Sequence, residues 1–218
     1  MDRSVAKPID NIRAPLLAHD GIERVLNRLA HEIHDGSITD EKGPLSIKPG
    51  SLAIIGIRTG GAHLARRLAK KLSQIRGEEP PLGILDITLY RDDVLVGSSN
   101  PLPLLRGTDI SFSIDGRNII LVDDVLFTGR TVRAAMGALS DLGRPGCIRL
   151  AVLADRGLRE LPIAADYIGR QTPSSPDQRI EVELVEEGAD SDAIVLVTTK
   201  DRRLDDRDNP NPTEAGNG

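Results

Sequence analysis

Tryptophan is missing altogether, and two Phe and two Tyr are the only aromatic residues among 218. A core without rings must rest on Val, Ile, Leu and Ala. The same scarcity argues against the aromatic platforms on which single-stranded nucleic acid stacks. One cysteine, Cys147, excludes an internal disulfide and fits a reducing compartment. Cys147 heads the apolar run Cys147-Ile148-Arg149-Leu150-Ala151-Val152-Leu153, which reads as a packed core thiol rather than a nucleophile. No apolar run approaches the roughly 20 residues a bilayer span needs. Met1 to Pro8 is charged and lacks the apolar stretch of a signal peptide, so the expected location is the cytoplasm. Positive charge is not in excess either, because 28 Lys and Arg face 33 Asp and Glu, a formal net charge of -5. Nothing global therefore draws the chain to nucleic acid or to an anionic membrane, and any RNA contact must come from a local basic patch.

What is present is enough apolar sequence for one good core, 39% of residues, in a chain whose length fits one domain with extensions. Residues 1–19 read as a loose N-terminal arm, 20–199 as the folded domain and 200–218 as a disordered, charged tail ending in Asn, Pro and Gly. Asp20 suits an N-cap with Glu23 three residues on. Ile22, Val25, Leu26, Leu29, Ala30 and Ile33 then follow at helical spacing, and the helix is expected to stop near Gly36. Leu52 to Ile57 is a continuous apolar run, as in a strand buried on both faces. The turn Arg58-Thr59-Gly60-Gly61 leads to a second helix with Leu64, Leu68, Leu72 and Ile75 inward. Gly83 to Leu89 reads as a further strand. Tyr90 to Ser113 is polar and without period, a functional flap or a disordered insert. Asn118 to Val122 is the clearest strand, and a third helix carries Val132, Ala135, Met136, Leu139 and Leu142 inward before Gly143. Strands are expected at Ile148–Leu153 and around 166–168, 180–184 and 193–197. Strand and helix in alternation mean an α/β fold with a parallel sheet flanked by helices. Ligands bind such sheets beyond the carboxyl ends of the strands, so the turns at 58–61 and 123–131 should lie close together.

The chemistry concentrates in Leu121-Val122-Asp123-Asp124-Val125-Leu126-Phe127-Thr128-Gly129-Arg130-Thr131. An apolar strand delivers two adjacent carboxylates to the sheet edge, and a small-residue turn then opens a helix. Unpaired N–H groups and the helix dipole favour an anion there. Gly129 lets the backbone come close, and Thr128 and Thr131 add hydroxyl donors. Carboxylates beside a phosphate make sense if they accept hydrogen bonds from sugar hydroxyls. The segment therefore reads as a ribose 5-phosphate clamp. It is neither a P-loop nor a dinucleotide fingerprint.

This segment resembles the phosphoribosyl pyrophosphate (PRPP) loop of type I phosphoribosyltransferases. Asp86-Ile87-Thr88-Leu89-Tyr90-Arg91-Asp92-Asp93, Arg130-Thr131-Val132-Arg133-Ala134 and the run from Leu153 through Asp155-Arg156-Gly157-Leu158-Arg159 to Ile163 are similar to the pyrimidine-operon attenuation regulators that also act as uracil phosphoribosyltransferases. The resemblance covers roughly residues 20 to 198. It implies a type I phosphoribosyltransferase fold with a small hood and a flexible flap. The implied reaction is uracil plus PRPP giving UMP and diphosphate, with Mg²⁺ on the diphosphate and no metal bound by the protein itself. Asp123 and Asp124 would hold the ribose hydroxyls, and Val125, Leu126, Phe127, Thr128, Gly129, Arg130 and Thr131 the 5′-phosphate. Arg58, Thr59 and Gly60 would face the diphosphate, with Arg91 joining Asp123 and Asp124 as a catalytic residue at the root of the flap. Asp155 and Arg156 would lie beside the base. Gly60 stands where the family often has Arg, Asn27 where relatives carry Thr, and Ala164 where many carry Arg. Partners implied are uracil, PRPP, UMP and the leader of a pyrimidine-operon messenger RNA, in a homodimer or higher homo-oligomer. The candidate RNA contacts are Arg28, His31, Arg159 and Arg170, with Arg24 beside Arg28 on the same helix face. The cluster Arg66-Arg67-Lys70-Lys71 is a second candidate. A nucleotide-sensing attenuator with little catalysis, and a phosphoribosyltransferase for another base, are the competing readings. His31 and His34, three apart, lack a third ligand for a metal.

Overall fold

In the computed structural model the described residues are 10–39, 51–90 and 107–200. Five strands form a parallel sheet: β2 (Leu52–Ile57), β3 (Leu82–Leu85), β4 (Asn118–Leu126), β5 (Cys147–Asp155) and β6 (Tyr167–Gln171), in the order β3-β2-β4-β5-β6. Strand β1 (Asp10–Ala18), β7 (Gln178–Glu183) and β8 (Ala193–Lys200) form a separate antiparallel sheet in the order β1-β8-β7. This second sheet is the small hood above the parallel one. Helices α1 (His19–Thr39) and α2 (Gly60–Arg76) pack on one face of the parallel sheet, and α3 (Arg130–Leu142) on the other.

The central place of β4 follows from its sequence. Ile119, Ile120 and Leu121 are fully buried, since side chains on both faces meet helices. Two aliphatic clusters result. One joins Ile22, Leu26 and Ile33 of α1 to Leu64, Leu68 and Leu72 of α2 over Ile54 and Ile120. The other joins Val132, Ala135 and Leu139 of α3 to Ile55, Ile119 and Leu121. Close approach replaces aromatic bulk. At Gly56 a Cβ would lie 2.6 Å from the Ala62 Cα, so glycine lets α2 sit directly on β2.

Several boundaries differ from the sequence reading. Asp10–Ala18 is not a loose arm but strand β1, paired antiparallel with β8 from Asp10↔Lys200 to Ala18↔Ala193. Helix α1 begins at His19, which places Asp20 inside its first turn rather than before it, and it continues to Thr39 past Gly36. The strand expected over Gly83–Leu89 is confined to Leu82–Leu85, and Thr88–Tyr90 forms a 3-10 turn. Strand β4 runs through the acidic pair to Leu126, because Asp123, Val125 and Leu126 still register with β5.

Candidate active site

The acidic pair lies in the last turn of pleat of β4. Asp123 is buried, and its Oδ1 accepts the Asp124 N–H at 3.1 Å; the Val125 N–H in turn donates to Asp124 Oδ1 at 2.7 Å. Each carboxylate is thus oriented by the backbone of its successor. Burial pushes the Asp123 carboxyl well above the usual carboxylate range, and the neighbouring Asp124 charge adds to the push. A buried carboxylate with an acidic neighbour needs donors, and the hydroxyls of a ribose are suitable ones.

After β4 the chain turns at Phe127-Thr128-Gly129 into α3. Gly129 has φ +92, a conformation open to glycine, and its missing Cβ leaves room for Ile163, 3.3 Å from where that atom would stand. The 156–163 segment braces this turn from behind. The N–H groups of Glu160 and Leu161 donate to the Thr128 carbonyl at 3.1 Å, and the Arg156 N–H donates to the Leu126 carbonyl at 3.1 Å. Arg130, the first residue of α3, pairs with Glu160. A rigid turn at the start of a 13-residue helix can seat an anion.

The second turn, Arg58 to Gly61, comes beside the first, as the sequence required. A Cβ at Gly60 would lie 2.6 Å from Asp124 Oδ2, and one at Gly61 would lie 2.5 Å from the Val122 carbonyl oxygen. The Arg58–Thr59 peptide is cis, and the Arg58 N–H donates to the Leu85 carbonyl at 2.9 Å. Arg58 and Thr59 are exposed. The acidic pair and the two turns are therefore contiguous along the carboxyl ends of β2 and β4.

Asp155 ends β5, the neighbour of β4, and Arg156 follows it. Asp155 Oδ1 accepts the Gly157 N–H at 3.0 Å and pairs with Arg159 Nη2 at 2.6 Å. The Arg156 guanidinium is buried, 3.9 Å from the centre of the Phe127 ring, and its Nη2 donates to the carbonyls of Ser175 (3.3 Å) and Gln178 (2.8 Å) at the hood. Its Nε is buried without a partner, as is Ser174 Oγ nearby in sequence to those carbonyls. Arg91 lies outside the described residues.

The residues considered for RNA are not all at liberty. Arg28 donates to Glu32 and to the carbonyls of Ile168 (3.0 Å) and Gly169 (2.7 Å), closing carbonyls on edge strand β6. Arg159 donates to the carbonyls of Phe127 (2.8 Å), Gly157 (3.0 Å) and Ile163 (3.0 Å). Its guanidinium ties the turn after β4 to the 156–163 segment, a role that its position in the sequence did not announce. Arg24, His31 and Arg170 are exposed on α1 and β6. In the second cluster, Arg67 is bound to Glu186 and Asp192, and Lys71 to Glu23 and Asn27. Among the described residues no three His, Cys, Asp or Glu side chains gather as a metal site, and His34 faces inward with a buried, unpartnered Nδ1.

Comparison with known proteins agrees with this geometry. Residues 14–187 match the model of the phosphoribosyl transferase domain. The chain is 47% identical over 188 residues to the bifunctional protein PyrR of Pelotomaculum thermopropionicum, covering 86% of this chain and 98% of that one. It is 51% identical over 174 residues to the PyrR of Bacillus cereus, covering 80% and 92%. Among solved structures, the hypoxanthine phosphoribosyltransferase of Trypanosoma cruzi superposes with a TM-score of 0.60 at 20% identity, over 85% of this chain and 97% of that one, a likeness of fold. With the two turns joined over the acidic pair and these relatives matched nearly end to end, the chain belongs to the type I phosphoribosyltransferases and, within them, to the bifunctional PyrR proteins.

Proposed function

We propose that the protein transfers the phosphoribosyl group of Mg-PRPP to uracil, giving UMP and diphosphate, and that it also regulates pyrimidine-operon transcription by binding leader RNA in response to UMP. The observation that carries the enzymatic reading is the junction of Asp124 with Gly60, which joins a sugar-phosphate seat to a diphosphate turn. In this reading Asp123 and Asp124 accept hydrogen bonds from the ribose hydroxyls. Residues Val125 to Thr131 form the seat of the 5′-phosphate, which is met by N–H groups of the turn from Phe127 to Thr131 with the Thr128 and Thr131 hydroxyls beside them. Arg58, Thr59 and Gly60 hold the diphosphate as it leaves, and Arg91 contributes a further cation. Charge that develops on the leaving group is met by donors already in place, which is where such a site gains its rate. Mg²⁺ enters as part of the substrate and neutralises the diphosphate. Uracil lies beside Asp155 and Arg156.

Support for the regulatory role comes from the PyrR relatives and from exposed Arg24, His31 and Arg170, with Arg28 between α1 and β6. Arg28 and Arg159 spend donors on protein carbonyls, so in this reading they shape the RNA face and supply charge more than base recognition. We further propose a homo-oligomer. The deciding experiment is diphosphate release by purified protein given Mg-PRPP and, in turn, uracil, orotate, hypoxanthine and guanine. Release with uracil alone is expected; release with a purine and not uracil overturns the assignment of the base.

A further inference from the structure

We propose that Phe127 is the plate on which the nucleobase stacks, so that one residue serves the phosphate with its backbone and the base with its ring. The inference rests on the reading of this site as one for uracil and UMP, and it names the apolar contact that the base makes there. Phe127 stands in the turn between the acidic pair and Gly129, a place suited to an anion. Its ring is nevertheless 39% exposed, and it is the one aromatic among the exposed large hydrophobic side chains of the described residues. A single exposed apolar side chain needs no explanation by itself. This one is held in place.

The Arg156 guanidinium carbon lies 3.9 Å from the ring centre, over one face. Arg156 is itself buried, and its Nη2 is tied to the carbonyls of Ser175 at 3.3 Å and Gln178 at 2.8 Å. The backbone is pinned as well. The Phe127 carbonyl accepts Arg159 Nη1 at 2.8 Å. The Leu126 carbonyl accepts the Arg156 N–H at 3.1 Å, and the Thr128 carbonyl accepts those of Glu160 and Leu161 at 3.1 Å. With one face on a cation and the backbone fixed on both sides, the opposite face carries the exposure. The residue thus spans from the phosphate turn to Arg156, which follows β5 on the side where the base is read. The ribose between them is held by Asp123 and Asp124 in the same reading. Uracil on that ribose is a flat ring, and a phenyl face already fixed meets it without being ordered on binding. Such a contact does not read hydrogen-bonding edges. It adds affinity for uracil and UMP, while the choice among bases stays with polar groups.

The test uses Phe127→Leu and Phe127→Trp, both of which keep the backbone N–H. Binding of UMP, Mg-PRPP and ribose 5-phosphate is measured by calorimetry, and KM for each substrate by diphosphate release. Mg-PRPP and ribose 5-phosphate carry no base and serve as internal controls. Phe127→Leu is expected to weaken UMP and raise the KM for uracil about tenfold, as for one base stacked on an aromatic ring, with Mg-PRPP affinity unchanged. Phe127→Trp should keep UMP affinity. The chain has no tryptophan of its own, so fluorescence of this variant reports the plate alone. Quenching by UMP and none by ribose 5-phosphate is expected. Equal weakening of UMP and Mg-PRPP in Phe127→Leu would overturn the proposal, because the residue would then act on the turn and not on the base. Calorimetric binding of UMP to Phe127→Trp with no change in fluorescence would overturn it too. Binding and quenching by GMP but not by UMP would instead keep the plate and remove uracil as the base. Should Phe127→Trp fail to fold, Phe127→Leu with the same three ligands decides alone.

Discussion

At Asp123 stability and function pull in opposite directions. The folded state raises the carboxyl pKa, by burial first and the Asp124 charge second. Between the unfolded value near 4 and the raised folded value, the native state binds more protons, so stability falls as pH rises through that window. Asp123→Asn keeps an acceptor for the Asp124 N–H and removes the buried charge. The variant should be more stable than the parent at pH 8 by about 1 kcal/mol, or roughly 2–4 °C in Tm, with the advantage vanishing below pH 4. The same change should weaken Mg-PRPP at least tenfold, by loss of a charged acceptor for a ribose hydroxyl. Thermal unfolding at two pH values with PRPP titration checks both halves; a lower Tm at pH 8 would contradict the account of the buried charge. The placement of the acidic pair was legible in the sequence because the pattern is local: strand, two acids, glycine turn, helix. The part of Arg159 was not. It donates to the Phe127 carbonyl from 32 positions away, and no spacing rule connects them.

The same contrast governs the elements. Strands β2, β4 and β5 announce themselves as apolar runs, and the three helices by their inward faces, because those patterns record burial against immediate neighbours. Strand β1 could not be read this way. Its sequence is half-exposed, contains Pro15, and becomes a strand only through β8, about 180 residues later. What fastens this hood to the rest is also non-local. Arg67 of α2 forks onto Asp192, whose carboxylate is fully buried and also accepts the Val185 N–H at 3.0 Å, and onto Glu186. His19 reaches the same carboxylate at 3.1 Å. Chiefly through Arg67, the Asp192 pKa falls to about 2. Its folded value lies below its unfolded value, so the stabilisation is complete above pH 4 and is lost as pH falls through about 2; it amounts to roughly 2 kcal/mol. Asp192→Asn leaves Arg67 under-compensated and should lower stability by about 3 kcal/mol at pH 7, with little difference from the parent at pH 2. Because α2 starts at Gly60, in the turn proposed to hold the diphosphate, the variant should also raise the KM for PRPP. Urea unfolding across this pH range is the measurement, and an equal deficit at both ends would rule out the ion pair as the cause.

On the scale of the whole molecule, charge decides how RNA must be held. A net charge of -5 offers no general attraction to a polyanion, so binding has to come from a few cations on one face. Along the sequence the basic residues considered for RNA form two clusters. In the fold, Arg67 and Lys71 of the second are committed to carboxylates, and Arg28 and Arg159 of the first donate to carbonyls up to 141 residues away. That leaves α1 and β6 as the coherent basic strip, with Arg24, Arg28, His31 and Arg170. About three to four phosphate contacts follow, and log K should fall with log salt at a slope of about -2 to -3 for a single-stranded leader loop. Arg170→Ala should reduce that slope by about 0.7 and weaken leader RNA several-fold at 100 mM salt, without altering the release of diphosphate from PRPP and uracil. The contrasting variant is Lys71→Ala, whose charge is already spent on Glu23, and it should leave RNA affinity within twofold. Titrations at several salt concentrations, with and without UMP, separate these outcomes. A steeper slope than four contacts allow would mean that one copy's strip is insufficient, and that RNA is gripped across two copies of the chain.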